Sequence, residues 1–544
     1  MTSTTREMML KSPSETARSP AVLVDDMIPV VEPAHNAPTA AHNPAALPSW
    51  YPKFRGKPLY HGNQEALAWA LDGLGRAIPL IYGGAFFGTA IINLAKEAAG
   101  CETEAPPGET LIPECNETIY GIRPSSFLVI YTIILGITSA ALLPLMGAII
   151  DYSEHRLLVG QITTALFLLF TVPQLFLSAN NWFIMAFFQI FVNIFGWGQT
   201  AITYAYLPEL TSDEMTLNDY TKSFTMLWFM AMVLYLALTI AGVSIAGYGD
   251  DSVIMARVGA GFALVISTPL MYVAWWKLFQ PRKALHKLRD GQRLWSAGFV
   301  QLYNTTINIS KNYRSLKWFY LAISMSDAGL QALGTILITV NTDTLQFTSL
   351  ENGVVIISIL LGSVPGAMMA NFMTRRYNPL NSSMGGLSLL MVVTALFALF
   401  ITGPGDQPKY VVYSFGFAWG IGVGWKWTCD RMVASSIIPA GQDAELMGFF
   451  LFSGQVLTWI PPLVFAATNE ANVSHQIGVA TLDVYFFLSF VCYCIMGSYE
   501  TARKEVNRET TFTTKLTEDT APVEAELMSQ GPRSNEGSQA MTTP

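Results

Sequence analysis

Gly147-Ala148-Ile149-Ile150-Asp151-Tyr152-Ser153-Glu154-His155-Arg156 is a short polar island between two apolar runs. In the matching place of the second half of the chain stands Gly366-Ala367-Met368-Met369-Ala370-Asn371, followed by Arg375-Arg376. The order of residue types recurs, with Asn in place of Asp. A glycine at such a place lets two helices touch, and a carboxylate and a base beside it can latch one face of a helical bundle. Recurrence at corresponding places implies a chain built from two related halves.

The runs on either side of these islands are long enough to span a bilayer, which needs roughly 20 apolar residues per helical crossing. Such runs fall at roughly 67–95, 125–150, 157–178, 182–207, 222–247 and 255–279, then at roughly 316–340, 351–373, 382–402, 409–437, 446–467 and 478–499. Composition agrees: 51% of the 544 residues are hydrophobic and only 13% are charged, against about 25% in an ordinary soluble domain. The expected fold is therefore an all-α membrane protein of twelve transmembrane helices in two six-helix halves. It divides into a disordered cytosolic tail (1–60), a first half (61–280), a cytosolic connecting loop (281–315), a second half (316–500) and a disordered cytosolic tail (501–544). The amino terminus lacks the apolar stretch and cleavage site of a signal peptide, so the first crossing is expected to direct insertion.

Basic residues set the orientation. Lys53, Arg55 and Lys57 precede the first crossing, Arg156 follows the second, Arg282 to Arg293 follow the sixth, Arg375 and Arg376 the eighth, and Lys504 and Arg508 the twelfth. By the positive-inside rule that face is cytosolic, with both termini. The opposite, luminal face then carries the sequons at Asn116 and Asn472, two candidate glycosylation sites, whereas those at Asn304, Asn308 and Asn381 face the cytosol. Cys101 and Cys115 flank a luminal loop, where a disulfide and two free thiols are both open.

The net charge of −8 resides mostly in the tails and loops, and nucleic acid is not an expected partner. No HExxH, Gly-x-Ser-x-Gly or Walker sequence occurs, and the cysteines show no metal spacing. The expectation is a protein that is not an enzyme and uses no cofactor or metal. Ion or solute gradients would supply its energy.

Charge inside the bilayer is the main functional signal, because an ionised side chain at a helix centre costs about 2.5 to 3.5 kcal/mol. Such residues are Asp72 and Arg76 in the first crossing, Asp327 in the seventh, and Lys426, Asp430 and Arg431 in the tenth. Asp72 with Arg76, and Lys426 with Asp430, are four apart and share a helix face. Asp327 has no base at i±3 or i±4 on its own helix, which favours a proton-carrying role. Lys426, about eleven residues from the cytosolic end, is expected to hold a substrate carboxylate. Trp419, Trp425 and Trp427, with Trp197, Gln199 and Tyr204 of the fourth crossing, are candidates for a pocket lining. Arg257 reads as an interface anchor. Glu209, Asp213, Glu214 and Asp219 form an acidic run for which contact with the central basic loop is the preferred account.

Six plus six crossings with a central cytosolic connection, together with the Gly147–Arg156 island, resemble the major facilitator superfamily. That likeness implies that crossings one, four, seven and ten line a central cavity. At a finer level the chain resembles the autophagy-related vacuolar effluxer family. The likeness is carried by Trp69-Ala70-Leu71-Asp72, by Tyr206-Leu207-Pro208-Glu209 and by Ser326-Asp327-Ala328-Gly329. Asp430-Arg431, Ile438-Pro439 and Ala444-Glu445-Leu446-Met447-Gly448-Phe449 carry it further, whereas Leu227 to Gly247 departs from the family's pattern. The resemblance implies a secondary transporter, with Gly147, Asp151, Arg156, Glu209 and Glu445 as gating residues. It also implies efflux of a small polar metabolite, neutral amino acids in the fungal members, from a vacuole or other endomembrane compartment. Protons are the candidate coupling ion and a monomer the expected state. Two other readings stay open: a transporter-like sensor or scaffold, and a plasma-membrane importer of another organic solute. Tyr51-Pro52-Lys53-Phe54 fits a tyrosine-type endosomal sorting signal.

Overall fold

In a computed structural model, residues 50–102, 113, 115, 117–211, 214–282, 293–401, 408–438 and 443–505 are described. The spans of the first half are α1 (Gln64–Ala98), α2 (Pro124–Tyr152), α3 (Arg156–Phe176), α4 (Trp182–Tyr206), α5 (Glu214–Ile245) and α6 (Ser252–Leu278). Those of the second are α7 (Arg314–Asp343), α8 (Ser349–Arg376), α9 (Pro379–Phe400), α10 (Lys409–Ile437), α11 (Asp443–Val456, resuming as Ile460–Glu470) and α12 (His475–Met496). Among the described residues eleven of these are long and apolar enough to cross a membrane. The twelfth, α10, has 29 residues but carries Lys409, Lys426, Asp430 and Arg431, which dilute its apolar character.

Local chemistry explains several boundaries. Asn63 caps α1, its side chain accepting from the Ala66 N–H at 3.0 Å. A capping box of Thr348 and Glu351 starts α8. Pro461 and Pro462 lack backbone donors and stand where α11 is interrupted.

Lipid gives no hydrophobic reward for helix association, so close backbone approach matters more than in a soluble core. The α8–α10 contact shows this. Cβ atoms added at Gly362 and Gly366 would lie 2.2 Å from the carbonyl oxygens of Phe417 and Ile421, and at Gly420 and Gly424 2.1 Å from those of Ile359 and Ser363. Gly366 of the second polar island thus does let two helices touch. Gly147 of the first does not: a Cβ there would meet nothing within 4 Å. The expectation for Gly147 fails because α2 turns that position away from its neighbours.

The two halves are tied at the end of the bundle opposite the connecting stretch. Lys96 of α1 pairs with Asp343 of α7 at 2.8 Å, and Asn352 of α8 donates to Thr89 of α1 at 3.2 Å. Asn469 of α11 donates to Ser125 at 3.0 Å and to Ser126 of α2 at 2.7 Å. Alongside, the Arg123 N–H donates to Glu470 at 3.0 Å.

The margins differ from the sequence reading. Residues 50–60, placed in the tail, include a small hairpin of β1 (Lys53–Phe54) and β2 (Lys57–Pro58) packed against the first half. Tyr51 is buried there and donates to the carbonyls of Leu59 and Asn63, at 2.8 and 3.0 Å, and burial pushes its phenol up to about 12. A sorting receptor reads an accessible tyrosine, so this one does not fit that role. The connecting stretch contains a 19-residue helix, Leu294–Asn312, hereafter the connector helix. Asn304 and Asn308 lie on it, whereas Asn472 is exposed in the α11–α12 turn and Asn116 lies outside the described residues. Cys101 and Cys115 are joined by a disulfide. Glu505 accepts from the Arg314 and Ser315 N–H groups at 2.9 and 3.1 Å and so caps α7; residues 506–544 lie outside the described residues.

Candidate functional site

The intramembrane charges gather into two clusters, one per half, on corresponding helices. In the first half the centre is Asp72 of α1, which has no exposed surface. Arg76 Nε lies 3.2 Å from its Oδ2, which also accepts from Thr203 of α4 at 3.0 Å. Its Oδ1 accepts from Gln199 of α4 at 3.0 Å and from the Trp275 indole of α6 at 2.7 Å. Gln199 in turn donates to Thr164 of α3 at 2.8 Å and accepts from Thr163, while Arg76 reaches Thr200. One carboxylate therefore has four donors, and with Arg76 the pair sums to zero charge. Such a satisfied cluster is a rigid pin between α1, α3, α4 and α6. Gly160 makes room for it, since a Cβ there would fall 1.9 Å from the Trp275 ring.

The second-half cluster occupies α7, α9, α10 and α12, six helices further on. Asp430 of α10 is 2% exposed and accepts from Ser383 of α9, from Tyr493 of α12 at 2.9 Å and from Lys426 one turn earlier. Lys426 has no exposed surface and also donates, at 3.4 Å, to Asp327 of α7. Asp327 differs from the other carboxylates: its side chain is 21% exposed, and its Oδ2 faces Gly454 of α11, where a Cβ would lie 2.8 Å away. Two carboxylates share one ammonium. With all three groups ionised the cluster carries one excess negative charge, held in a medium where every such charge is costly.

This geometry alters several expectations. Asp327, without a base on its own helix, gains one from α10. Lys426 is enclosed between two carboxylates and is not free to clamp a substrate carboxylate. Gln199 belongs to the Asp72 pin and not to a pocket wall. Trp419 is wholly buried, donates to Thr394 at 3.0 Å and packs on Phe397, and Trp425 donates to Ser382 at 2.9 Å, so both are packing residues. Trp427 lies alongside Asp327, Trp197 is half-buried, and Tyr204 packs edge-on against Trp69 at 5.9 Å. Arg431 is exposed and not drawn into the cluster.

At the end that carries the connecting stretch Arg156, its side chain fully buried, donates to Glu209 at 2.9 Å and lies over the Tyr206 ring. Arg282 lies 3.3 Å from Glu209 and also pairs with Glu65 at the start of α1. The base of the first island thus finds its partner in the Leu207-Pro208-Glu209 exit of α4, and Glu209 also meets the first basic residue of the central connection. The side chains of Asp151 and Glu445 lie outside the described residues. The corresponding Arg375 and Arg376 are exposed. Arg257, read as an interface anchor, donates to the Leu177 carbonyl beyond α3.

Beyond the partners of the two clusters, further buried polar groups escaped the sequence reading. The side-chain amides of Gln189 and Asn341 are wholly buried without hydrogen-bond partners, and Asp483 of α12 has a buried, unpartnered Oδ1. Asp483 meets the same test as Asp327, an acid inside an apolar run. Buried amides give no such signal, since glutamine and asparagine are common in loops and helices alike.

A family model described as "Vacuole effluxer Atg22 like" matches residues 62–272 and 224–507. No curated protein matches the chain. Among solved structures, the chain is similar to a point mutant of the nucleoside transporter NupG, with 14% identity, a TM-score of 0.52, and coverage of 80% of this chain and 100% of that one. It is also similar to the xylose transporter XylE from E. coli in its inward open conformation, with 13% identity, a TM-score of 0.53, and coverage of 80% and 95%. At these identities the likeness speaks for the fold, which is that of the major facilitator superfamily.

Proposed function

We propose, from the premise that this chain belongs to the vacuole effluxer Atg22 like family, that this secondary transporter exports small zwitterions, neutral amino acids foremost, from a vacuole-type lumen. Proton exchange at Asp327 drives the cycle. The carrying observation is the second-half cluster, in which Asp327 keeps an exposed flank while sharing Lys426 with Asp430.

The excess negative charge supports this reading. A proton on Asp327 brings the cluster to neutrality, and a zwitterion bound beside that flank adds no net charge, so proton and substrate leave the lumen together. The protonated, loaded state lowers the cost of carrying the cluster through an occluded conformation. Lys426 and Asp430 stay as a fixed pair, held by Ser383 and Tyr493, and set the field that Asp327 feels. The Lys96–Asp343 and Asn469–Ser125 contacts between halves are those of a lumen-closed state, and their rupture is the counterpart of opening toward the lumen. Among gating residues, Arg156 and Glu209 brace the cytosolic end of the first half as one body, so that the halves rock and do not deform.

The test is flux of radiolabelled leucine in proteoliposomes under an imposed pH gradient. Wild type should move leucine uphill with the gradient. Asp327→Asn should retain gradient-free exchange while losing the uphill component by more than tenfold. Proton-driven flux at the wild-type rate in this variant would overturn the coupling role, and metabolite profiles of isolated organelles with and without the protein would identify the substrate class.

A further inference from the structure

We infer that the connector helix, Leu294–Asn312, lies in the headgroup plane of the cytosolic leaflet. Its Trp295–Phe299–Tyr303 stripe enters the acyl boundary, and its basic ends rest on anionic lipid.

The helix presents three distinct sides. Gly298, Thr305 and Ile309 form a buried side. Gly298 seats it on α2, where a Cβ would lie 2.0 Å from the Pro144 carbonyl oxygen and 3.0 Å from Ala148. Roughly a quarter-turn away, Trp295, Phe299 and Tyr303 follow one another at four-residue spacing and are 60%, 46% and 66% exposed. The remaining side carries Asn304, Asn308 and Lys311.

Exposed aromatics in such a stripe need an apolar neighbour, and the docking contact says which one. Pro144 lies eight residues inside the cytosolic end of α2, about 12 Å at 1.5 Å per residue, so the seat at Gly298 is at the depth of the lipid boundary and not out in the cytosol. An in-plane helix buries its apolar face about 5–10 Å into that boundary. Charge fits the same occupant. No acidic residue occurs between Leu294 and Asn312, and Arg293, Lys311, Arg314 and Lys317 are all exposed at its two ends. Each basic residue near an anionic surface contributes to binding that salt screens. Because the helix joins the halves and is seated on α2 without clearance, leaflet composition would bear directly on how α2 moves. This inference does not depend on the substrate or the coupling ion.

The full chain, in a Cys494→Ser background, is to be labelled with an environment-sensitive fluorophore at Phe299→Cys and, separately, at Asn308→Cys. Each is then reconstituted in phosphatidylcholine alone or in phosphatidylcholine with phosphatidylserine. Expected is blue-shifted emission at 299, quenched by lipids brominated just below the headgroup, with 308 quenched instead by aqueous iodide. Serine lipid should deepen the protection at 299 and high salt should reverse that gain. Equal iodide quenching at both positions would overturn insertion, and protection indifferent to serine lipid and salt would overturn the anionic contact. Tyr303→Cys supplies a second reporter if the label at 299 disturbs folding.

Discussion

The charge cluster around Asp72 and the one around Asp327 stand on corresponding helices of the two halves, yet one is closed and the other is left open. Asp72 is fully buried, has four donors and is neutralised by Arg76 on its own helix. Asp327 is partly exposed and shares Lys426 with a second carboxylate. The same architectural position therefore serves as a pin in one half and as a chargeable flank in the other. What separates them is the balance of charge and donors, since both are built from one acid-and-base pair four residues apart plus hydroxyl and indole donors from neighbouring helices.

That contrast is breakable in order of expected effect. Lys426→Met leaves two carboxylates without their cation and should cost about 3–5 kcal/mol, the scale for breaking a buried pair, read as a large fall in melting temperature in detergent. Restoration of much of that loss by Asp430→Asn in the same chain would show that the excess charge, and not lost packing, is the cause. Gly160→Ala should cost about 1–3 kcal/mol by overpacking, because its Cβ meets the Trp275 ring that holds Asp72. Leucine exchange in the Gly160 variant should keep its dependence on the pH gradient. By contrast, Asp327→Asn should shift stability by less than about 1 kcal/mol, since a single 3.4 Å contact is weakened and the charge excess is removed, while its proton-driven flux collapses. A large stability loss there, with coupling intact, would make Asp327 a second pin. Smallest of all, Gly147→Ala should change melting by less than about 0.5 kcal/mol, whereas Gly366→Ala, aimed at a carbonyl oxygen 2.2 Å away, should not be tolerated.

The two polar islands repeat this contrast at the end that carries the connecting stretch. Their sequences correspond, but Arg156 is buried against Glu209 while Arg375 and Arg376 are exposed, and the island whose glycine makes a close helix contact is the second. Sequence showed that both places matter to the bundle; it did not show which one is a contact and which a brace. Tyr51 is similar. Four residues resemble a sorting signal until the hairpin after them is seen to bury the tyrosine.

Features that depend on chain-local physics were legible directly. Apolar run length gave the crossings, and charge at depth singled out Asp72, Arg76, Asp327, Lys426 and Asp430. Pairs four apart, such as Lys426 with Asp430, follow from helix geometry alone. Partners on other helices do not. The bonds from Trp275 to Asp72, from Lys426 to Asp327 and from Arg156 to Glu209, and the close approach of Gly298 to Pro144, bridge long stretches of sequence. They exist because small residues let particular helix faces close to within a hydrogen bond of one another. Sequence thus determined that ionisable groups lie within the bilayer, and tertiary packing decided which were neutralised and which kept a charge to spend.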